Sequence, residues 1–260
     1  MSGRELEQLG DVAVRAALRG GEVVRSGRPG ATTAKGTGDY VSEVDRRSER
    51  TIVDLLAEET PDVPVLAEEG GGSTGDRYWV VDPLDGTANF LHELPIVGVS
   101  VALVDRGLPV VGVVHAPLLD LLFVAVRGHG AESRGAHSRR PLRTSDRVPA
   151  AAIVATGFPF RDKSLLPRYL PVFGRSLERF EDLRRAGAAA LDLAWVAEGA
   201  FDGFFELNLS PWDVAAGAVL VLEAGGRVTD WEGGQSWLET GNILAGSPPV
   251  HEALLEITRG

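Results

Sequence analysis

The segment WVVDPLDGTANF, residues 79–90, constrains the fold most, because it places two acids at the end of an apolar strand-like run. Asp82 and Asp85 stand three positions apart, with a Pro between them and a Gly directly after. A carboxylate at the end of a buried strand is costly unless it binds a cation or accepts hydrogen bonds. Taken alone, the pair is equally compatible with a turn followed by a helix cap, since Asp favours both.

Other acids of the chain favour a metal site. Glu68 ends the preceding apolar run, Asp213 follows a Pro at a helix start, and Asp45 opens a second helix. Oxygen ligands of this kind suit Mg²⁺ or Mn²⁺. The chain has no cysteine, which excludes thiolate metal sites and cysteine nucleophiles. A carboxylate cage beside the helix start at Gly86 is a layout for metal-assisted attack of water on a phosphate ester.

Hydrophobic periodicity predicts a layered α/β (α+β) architecture. Helices are predicted over residues 5–24, 44–59, 165–180, 188–198, 214–224 and 250–257, with a helix start at 86–89. Strands are predicted over residues 63–69, 77–82, 96–104, 108–115, 121–126, 151–156, 201–207, 227–229 and 242–245. Short turns between the strands from 96 to 126 indicate antiparallel pairing. The Gly- and Thr-rich segment 27–38 is predicted to be a loop.

We predict a single domain over residues 1–260, with an N-terminal helix pair and antiparallel sheet over 1–145 and an α/β part over 146–260. The polar stretch 134–149 is a weak boundary candidate between them. The formal net charge of −11 argues against nucleic acid or an anionic membrane as the main partner. The most apolar region, 108–126, is interrupted by prolines and an aspartate, so it predicts strands and no membrane span. With no signal peptide at the start, we expect a cytoplasmic protein.

Two signatures of the chain resemble those of a known family. WVVDPLDGTANF resembles the first signature of the inositol monophosphatase family, and WDVAAGAVLVLEAGG, residues 212–226, resembles the second. The resemblance extends over essentially the whole chain. It implies a five-layer αβαβα sandwich of the inositol monophosphatase and fructose-1,6-bisphosphatase type. It also implies two or three Mg²⁺ ions, with Mn²⁺ as a substitute, frequent lithium sensitivity and a homodimer.

The resemblance also implies a role for each matching residue. The first metal would be bound by Glu68, Asp82 and the carbonyl of Leu84, and the second by Asp82, Asp85 and Asp213. Thr87 and Asp45 would orient and deprotonate the attacking water, with Glu68 in the same catalytic set. The amides of Gly86 and Thr87 would bind phosphate. The substrate would contact Asp85, Ala88, Gly187, Ala188, Glu206 and Asp213. Lys35 would lie near the phosphate.

Three departures from the family pattern bear on the substrate. Ala67 replaces a Gly before the Glu pair, Ala188 replaces a Ser or Thr near the sugar-binding side, and Ser210 stands where animal members tend to have His. The chemistry should survive these changes, while the substrate preference is open.

The function that we predict is metal-dependent hydrolysis of a small phosphomonoester by an activated water, without a covalent intermediate. The expected substrate is myo-inositol 1-phosphate or a related polyol phosphate. Alternatives are the same chemistry on histidinol phosphate, fructose 1,6-bisphosphate, NADP or a 3′-phosphonucleotide. A regulatory protein without catalysis on this fold and a plain acidic module for cations are the other readings. The expected partner is a small phosphate ester, with no nucleic acid and no membrane.

Overall fold

The structure is a computed structural model that describes residues 1–30, 32–36, 39–135 and 138–260, without the side chains of 32, 34–36, 39 and 40. The side chain of Lys35 therefore lies outside the described residues, and its role near the phosphate stays a prediction.

The helices follow the predicted pattern closely. They are α1 (Gly3–Ser26), α2 (Glu43–Glu59), α3 (Thr87–Leu91), α4 (Leu166–Arg179), α5 (Ala189–Glu198), α6 (Pro211–Glu223), α7 (Trp237–Thr240) and α8 (Pro248–Arg259). The sequence did not predict α7, because a four-residue helix has no periodic pattern.

The strands are more numerous than predicted. They are β1 (Thr32–Gly36), β2 (Asp39–Ser42), β3 (Val65–Ala67), β4 (Gly71–Gly72), β5 (Arg77–Asp85), β6 (Gly98–Asp105), β7 (Leu108–Ala116), β8 (Leu121–Val126), β9 (Gly130–Arg134), β10 (Arg139–Pro141), β11 (Ile153–Thr156), β12 (Asp182–Arg184), β13 (Gly203–Glu206), β14 (Arg227–Thr229) and β15 (Ile243–Gly246). The prediction of a loop over residues 27–38 was wrong in part, because β1 lies within this segment and pairs antiparallel with β2. Its β-branched threonines support a strand once a partner is beside them.

Two larger sheets form the body of the described chain. The first has eight strands in the order β10-β9-β8-β7-β6-β5-β3-β4, and the second has five in the order β12-β11-β13-β15-β14. The predicted antiparallel pairing of β6, β7 and β8 is confirmed. The weak boundary at 134–149 contains β10, which pairs with β9, and the chain then crosses to the second sheet.

Helices cover both sheets and give five layers. One core lies between the first sheet and the pair α1 and α2, and a second surrounds α5 and α6 between the two sheets. A third core packs α4 and α8 against the outer face of the second sheet. The order is therefore αβαβα, as predicted, and it brings the end of β5 against the first turns of α5 and α6.

In the part of the chain that the structure describes, none of the helices has both the length and the apolar character that crossing a membrane requires.

Candidate metal centre and active site

Three buried carboxylates meet where β5 ends. Asp82 and Asp85 come from β5, and Asp213 comes from the first turn of α6. Each offers an oxygen within 4.8 Å of the other two. The three residues are 1%, 7% and 8% exposed. Acids 128 positions apart, from 85 to 213, therefore share one small volume.

A bulge in β5 turns both of its acids toward this volume. Pairing with β6 shifts register between Asp82 and Asp85, which lets two residues three apart point the same way. The amide of Leu84 donates to Oδ1 of Asp82 at 2.9 Å, and the Ser48 hydroxyl donates to the carbonyl of Pro83 at 2.9 Å. These bonds fix the turn and leave the cluster facing inward.

Backbone amides at the starts of the two central helices each bind one oxygen of a cluster acid. The amide of Ala190 in the first turn of α5 donates to Oδ2 of Asp85 at 2.7 Å. The amide of Ser210 donates to Oδ2 of Asp213 at 2.6 Å, which makes the acid part of the cap of α6. Acids at helix N-termini are favoured by the positive end of the helix dipole.

Glu68 lies on the same cavity, just after β3. Its neighbour Glu69 has its amide bound by Oε2 of Glu49, at 2.7 Å. Sequence reasoning missed Glu49, because only the fold shows that this acid on α2 reaches a turn twenty residues away. Its bond holds the turn that presents Glu68.

Thr87 on the cavity wall contacts a buried acid behind it. The Thr87 hydroxyl lies 2.9 Å from Oδ1 of Asp45 and 3.1 Å from the carbonyl of Leu84. Asp45 is fully buried, and its other oxygen accepts from the amide of Ser42 at 3.0 Å and contacts the Ser42 hydroxyl. This is a capping box at the start of α2, and it points the second oxygen of Asp45 at Thr87.

The turn between β5 and α3 requires a glycine. Gly86 has φ of +87°, and a Cβ there would lie 3.0 Å from the carbonyl oxygen of Ile96 and 3.3 Å from the Cβ of Ala188. The side-chain amide of Asn89 donates to the carbonyls of Ile96 and Ala186, at 2.8 and 2.9 Å. Sequence reasoning did not single out Asn89, whose partner at 186 is 97 residues away.

The predicted substrate residues also line this cavity, which has a volume of about 150 Å³. They are Ala88, Gly187, Ala188 and Glu206, together with Asp85 and Asp213. Burial, and next the charge of Asp213, raise the pKa of Glu206 to about 8. Arg161, Arg185 and Asp192 also line the cavity, and none of them was predicted as a site residue.

The electrostatics of the cluster fit a divalent cation. Burial and then the charge of Glu68 raise the pKa of Asp82 well above its ordinary value. Burial and then the charge of Asp213 raise the pKa of Asp85 to about 8. Acids that raise one another's pKa need either protons or cations, and an all-oxygen donor set is the one that Mg²⁺ prefers. The donor set therefore fits the predicted ion.

Comparison with known proteins gives the same family over nearly the whole chain. The model of the inositol monophosphatase family matches residues 5–259. A protein named Nus factor SuhB from Salmonella typhimurium is 44% identical over 251 residues, which are 94% of this chain and 93% of that protein. The protein of the same name from Escherichia coli K12 is 43% identical over 252 residues, with the same coverage.

Solved structures agree with the fold. The extragenic suppressor protein suhB from Bartonella henselae has a TM-score of 0.90 at 39% identity, covering 96% of this chain and 97% of that one. An IMPase from Thermotoga maritima has a TM-score of 0.86 at 33% identity and covers 97% of both chains. The predicted layered sandwich is confirmed by these neighbours.

One prediction is wrong. We expected no nucleic-acid partner from the net charge of −11, but the relatives above are named Nus factors, a name that conflicts with excluding nucleic-acid machinery. Net charge is a sum over the whole chain. It does not exclude a local patch, or a contact with such machinery through another protein.

Proposed function

Because this chain belongs to the inositol monophosphatase family, we propose that it hydrolyses a small phosphomonoester with the help of divalent metal ions. The observation that carries this proposal is the cavity in which Asp82, Asp85 and Asp213 lie together and Thr87 contacts Asp45. Metal-binding acids beside a hydroxyl–carboxylate pair are what hydrolysis by an activated water needs.

The residues that would hold the ions are those of the carboxylate cluster. Glu68, Asp82 and the Leu84 carbonyl would bind one Mg²⁺, and Asp82, Asp85 and Asp213 would bind another, with Mn²⁺ as a substitute. Bound divalent ions supply Lewis-acid activation of water and neutralise the charge of the phosphate. The amides of Gly86 and Thr87 would bind a phosphate oxygen.

Thr87 and Asp45 would accept a proton from the attacking water. The Thr87 hydroxyl donates to Asp45 and keeps its lone pairs for a hydrogen bond from the attacking water. The water would form a new bond to phosphorus while the bond to the leaving oxygen breaks. The water proton would move through Thr87 to Asp45, and the leaving alkoxide would take up a proton from solvent. No covalent enzyme intermediate is required.

The substrate that we propose is a polyol phosphate such as myo-inositol 1-phosphate. Glu206, at the end of β13, would bind its hydroxyls. Histidinol phosphate, fructose 1,6-bisphosphate, NADP and a 3′-phosphonucleotide remain alternatives for the same chemistry, because Ala188 and Ser210 depart from the family pattern on the substrate side.

A phosphate-release assay across these five compounds with Mg²⁺ tests the proposal. We expect turnover of at least one, abolished by EDTA and restored by Mg²⁺. Release that persists in EDTA, or no release from any compound, would contradict a metal-dependent phosphatase.

Two variants test the metal ligands. Asp213→Asn and Glu68→Gln should each lower Mg²⁺-dependent kcat/KM by roughly a hundredfold or more, because each removes an anionic ligand. Circular dichroism should show an intact fold. The matched control is Asp62→Asn, the same chemical change in an exposed turn, which should keep wild-type activity. Near-normal turnover in either ligand variant would show that the ligand assignment is wrong.

A second candidate function is a regulatory role on this fold, and the name Nus factor of the relatives favours it. A chain that binds Mg²⁺ by calorimetry but releases phosphate from none of the five compounds would support this role over catalysis. Inhibition by lithium, a homodimer and a cytoplasmic location stay predictions. Activity titrated with Li⁺ would test the first of them, and sedimentation of the pure protein the second.

A further inference from the structure

Asp192 is a buried acid that the proposed mechanism does not use. It lies in the first turn of α5 and is 2% exposed. Among the described residues, its Oδ1 has no hydrogen-bond partner. An unpaired buried polar atom is costly and rare in native proteins, so it calls for an explanation.

Its position separates Asp192 from the other buried oxygens of this kind. Within the described part of the chain, the hydroxyls of Ser176 and Ser247 also have no partner, but neither residue lines the candidate active site. Asp192 does line it, as Glu206 does. The unpaired oxygen therefore belongs to a residue of the cavity wall.

The surroundings of Asp192 favour a neutral ligand group. Burial, and next the charge of Glu206, raise the pKa of Asp192 well above its ordinary value. The guanidinium of Arg185 lies over the rings of Phe158 and Phe160, 6.0 and 5.8 Å from their centres. Its charge lowers the pKa of Asp192 but does not cancel the effect of burial. A neutral carboxyl group both donates and accepts, as a hydroxyl does.

We propose that Asp192 is a specificity residue that hydrogen-bonds a substrate hydroxyl next to the one bound by Glu206. The cavity then selects phosphate esters that carry two neighbouring hydroxyls over esters that carry none. A site built to hydrogen-bond a hydroxyl discriminates strongly against an analogue that lacks it, because its buried polar groups are then left unpaired. This inference rests on the proposed function and narrows its substrate class.

Asp192→Leu and Asp192→Asn test the proposal with two substrates. We expect the Leu variant to have at least tenfold lower kcat/KM for myo-inositol 1-phosphate. Its kcat/KM for 4-nitrophenyl phosphate, which has no hydroxyl, should stay within twofold of wild type. Asn keeps a donor and an acceptor and should restore part of the activity. The melting temperature of the Leu variant should equal or exceed that of wild type, since an unpaired buried acid is replaced by an apolar group of similar shape.

Controls separate a specificity role from a structural one. Ser176→Ala removes another buried oxygen without a described partner, outside the cavity. It should leave kcat/KM unchanged for both substrates. Equal losses on both substrates, or a lower melting temperature in the Leu variant, would overturn the proposal.

A binding measurement keeps the test independent of turnover. In a Thr87→Val background with Mg²⁺, calorimetry should show that Asp192→Leu weakens binding of myo-inositol 1-phosphate at least tenfold. Unchanged binding would overturn the role of Asp192. If wild type hydrolyses neither substrate, the proposed function is wrong, and this binding result still decides on Asp192.

Discussion

Thr87 is the residue at which the turn, the buried acid and the cavity meet. Its hydroxyl lies within hydrogen-bond distance of Asp45 and of the Leu84 carbonyl. A hydroxyl has one proton and two lone pairs, so it can donate to an acid and still accept from a water. No other common side chain of that size except serine combines these properties, which gives a clean substitution test.

Replacing Thr87 by Val removes the hydroxyl and keeps the shape. We expect kcat to fall by roughly 10² to 10⁴, the usual contribution of a positioned proton acceptor, with Mg²⁺ affinity little changed. Thr87→Ser keeps the hydroxyl and should retain most activity. Steady-state kinetics and Mg²⁺ calorimetry check this, and a Val variant within tenfold of wild type would exclude the proton role.

Some residues of the candidate site could be predicted from the sequence, and others could not. Asp82, Asp85 and Asp213 could be predicted, because a charged side chain beside a strand end or helix start is conspicuous. Glu49 and Asn89 could not, because their partners are backbone atoms 20 and 97 positions away and their local sequence resembles any helix. Asp192 looked like an ordinary residue of an apolar helix until the fold placed it on the cavity.

At the scale of elements, helix starts position the site acids. Asp45 is at the third position of α2 and closes a capping box with Ser42, and Asp213 is at the third position of α6 and is bound by the amide of Ser210. The capping bond uses one carboxylate oxygen of each acid, and the other oxygen of Asp45 accepts from the Thr87 hydroxyl. Long periodic helices of this kind were predictable. The strands β1, β2, β4, β9, β10 and β12 were not, because such short strands depend on the neighbour that they pair with.

Ser42→Ala tests whether the cap of α2 positions Asp45. We expect a loss of about 1 kcal/mol in the free energy of unfolding from the lost cap. The kcat should also fall, because Asp45 loses the Ser42 hydroxyl that holds it.

The matched control is Ser2→Ala, which removes the side-chain cap of α1, where the Ser2 hydroxyl accepts from the amide of Glu5 at 3.2 Å. It should lower stability without changing kcat. Urea unfolding and steady-state kinetics measure both quantities, and equal effects on kcat in the two variants would contradict a positioning role for the cap.

At the scale of the whole molecule, small residues let the layers approach closely. A Cβ on Gly217 of α6 would lie 2.4 Å from the Cβ of Leu193 on α5, and one on Gly112 of β7 would lie 2.3 Å from the carbonyl oxygen of Ala216. Hydrophobic pattern predicted α5 and α6 as helices, and their apolar surface on all sides indicates burial. It does not say which two sheets enclose them, because that depends on contacts between distant segments. The family resemblance supplied the layer order.

The outer layer makes stability depend on pH. His251 of α8 is 3% exposed, and its Nε2 lies 2.9 Å from the Thr229 hydroxyl. Burial, and next the charge of Arg227, lower the pKa of His251 to about 4, against about 6.5 in an unfolded chain. Between these values the unfolded chain binds a proton that the folded chain does not, so stability should fall as pH falls from 6.5 to 4, by on the order of 2–3 kcal/mol.

His251→Gln should remove this part of the pH dependence and give a flatter profile between pH 6.5 and 4. Urea unfolding at pH 7.5, 5.5 and 4.5 measures it. Above pH 6.5 the imidazole of His251 is neutral in both the folded and the unfolded chain. The pH dependence of stability should therefore be the same in wild type and variant there. Identical slopes below pH 6.5 would show that His251 does not contribute.

The candidate site, with the acid behind Thr87 included, collects side chains from residue 45 to residue 213. A nascent polypeptide therefore leaves the ribosome with its first acids long before the last one has been translated. Until α6 emerges, the earlier carboxylates lack Asp213 of the cluster. A fragment that ends before α6 therefore cannot form the complete centre. Assembly of the complete acidic cluster is thus timed by translation of α6.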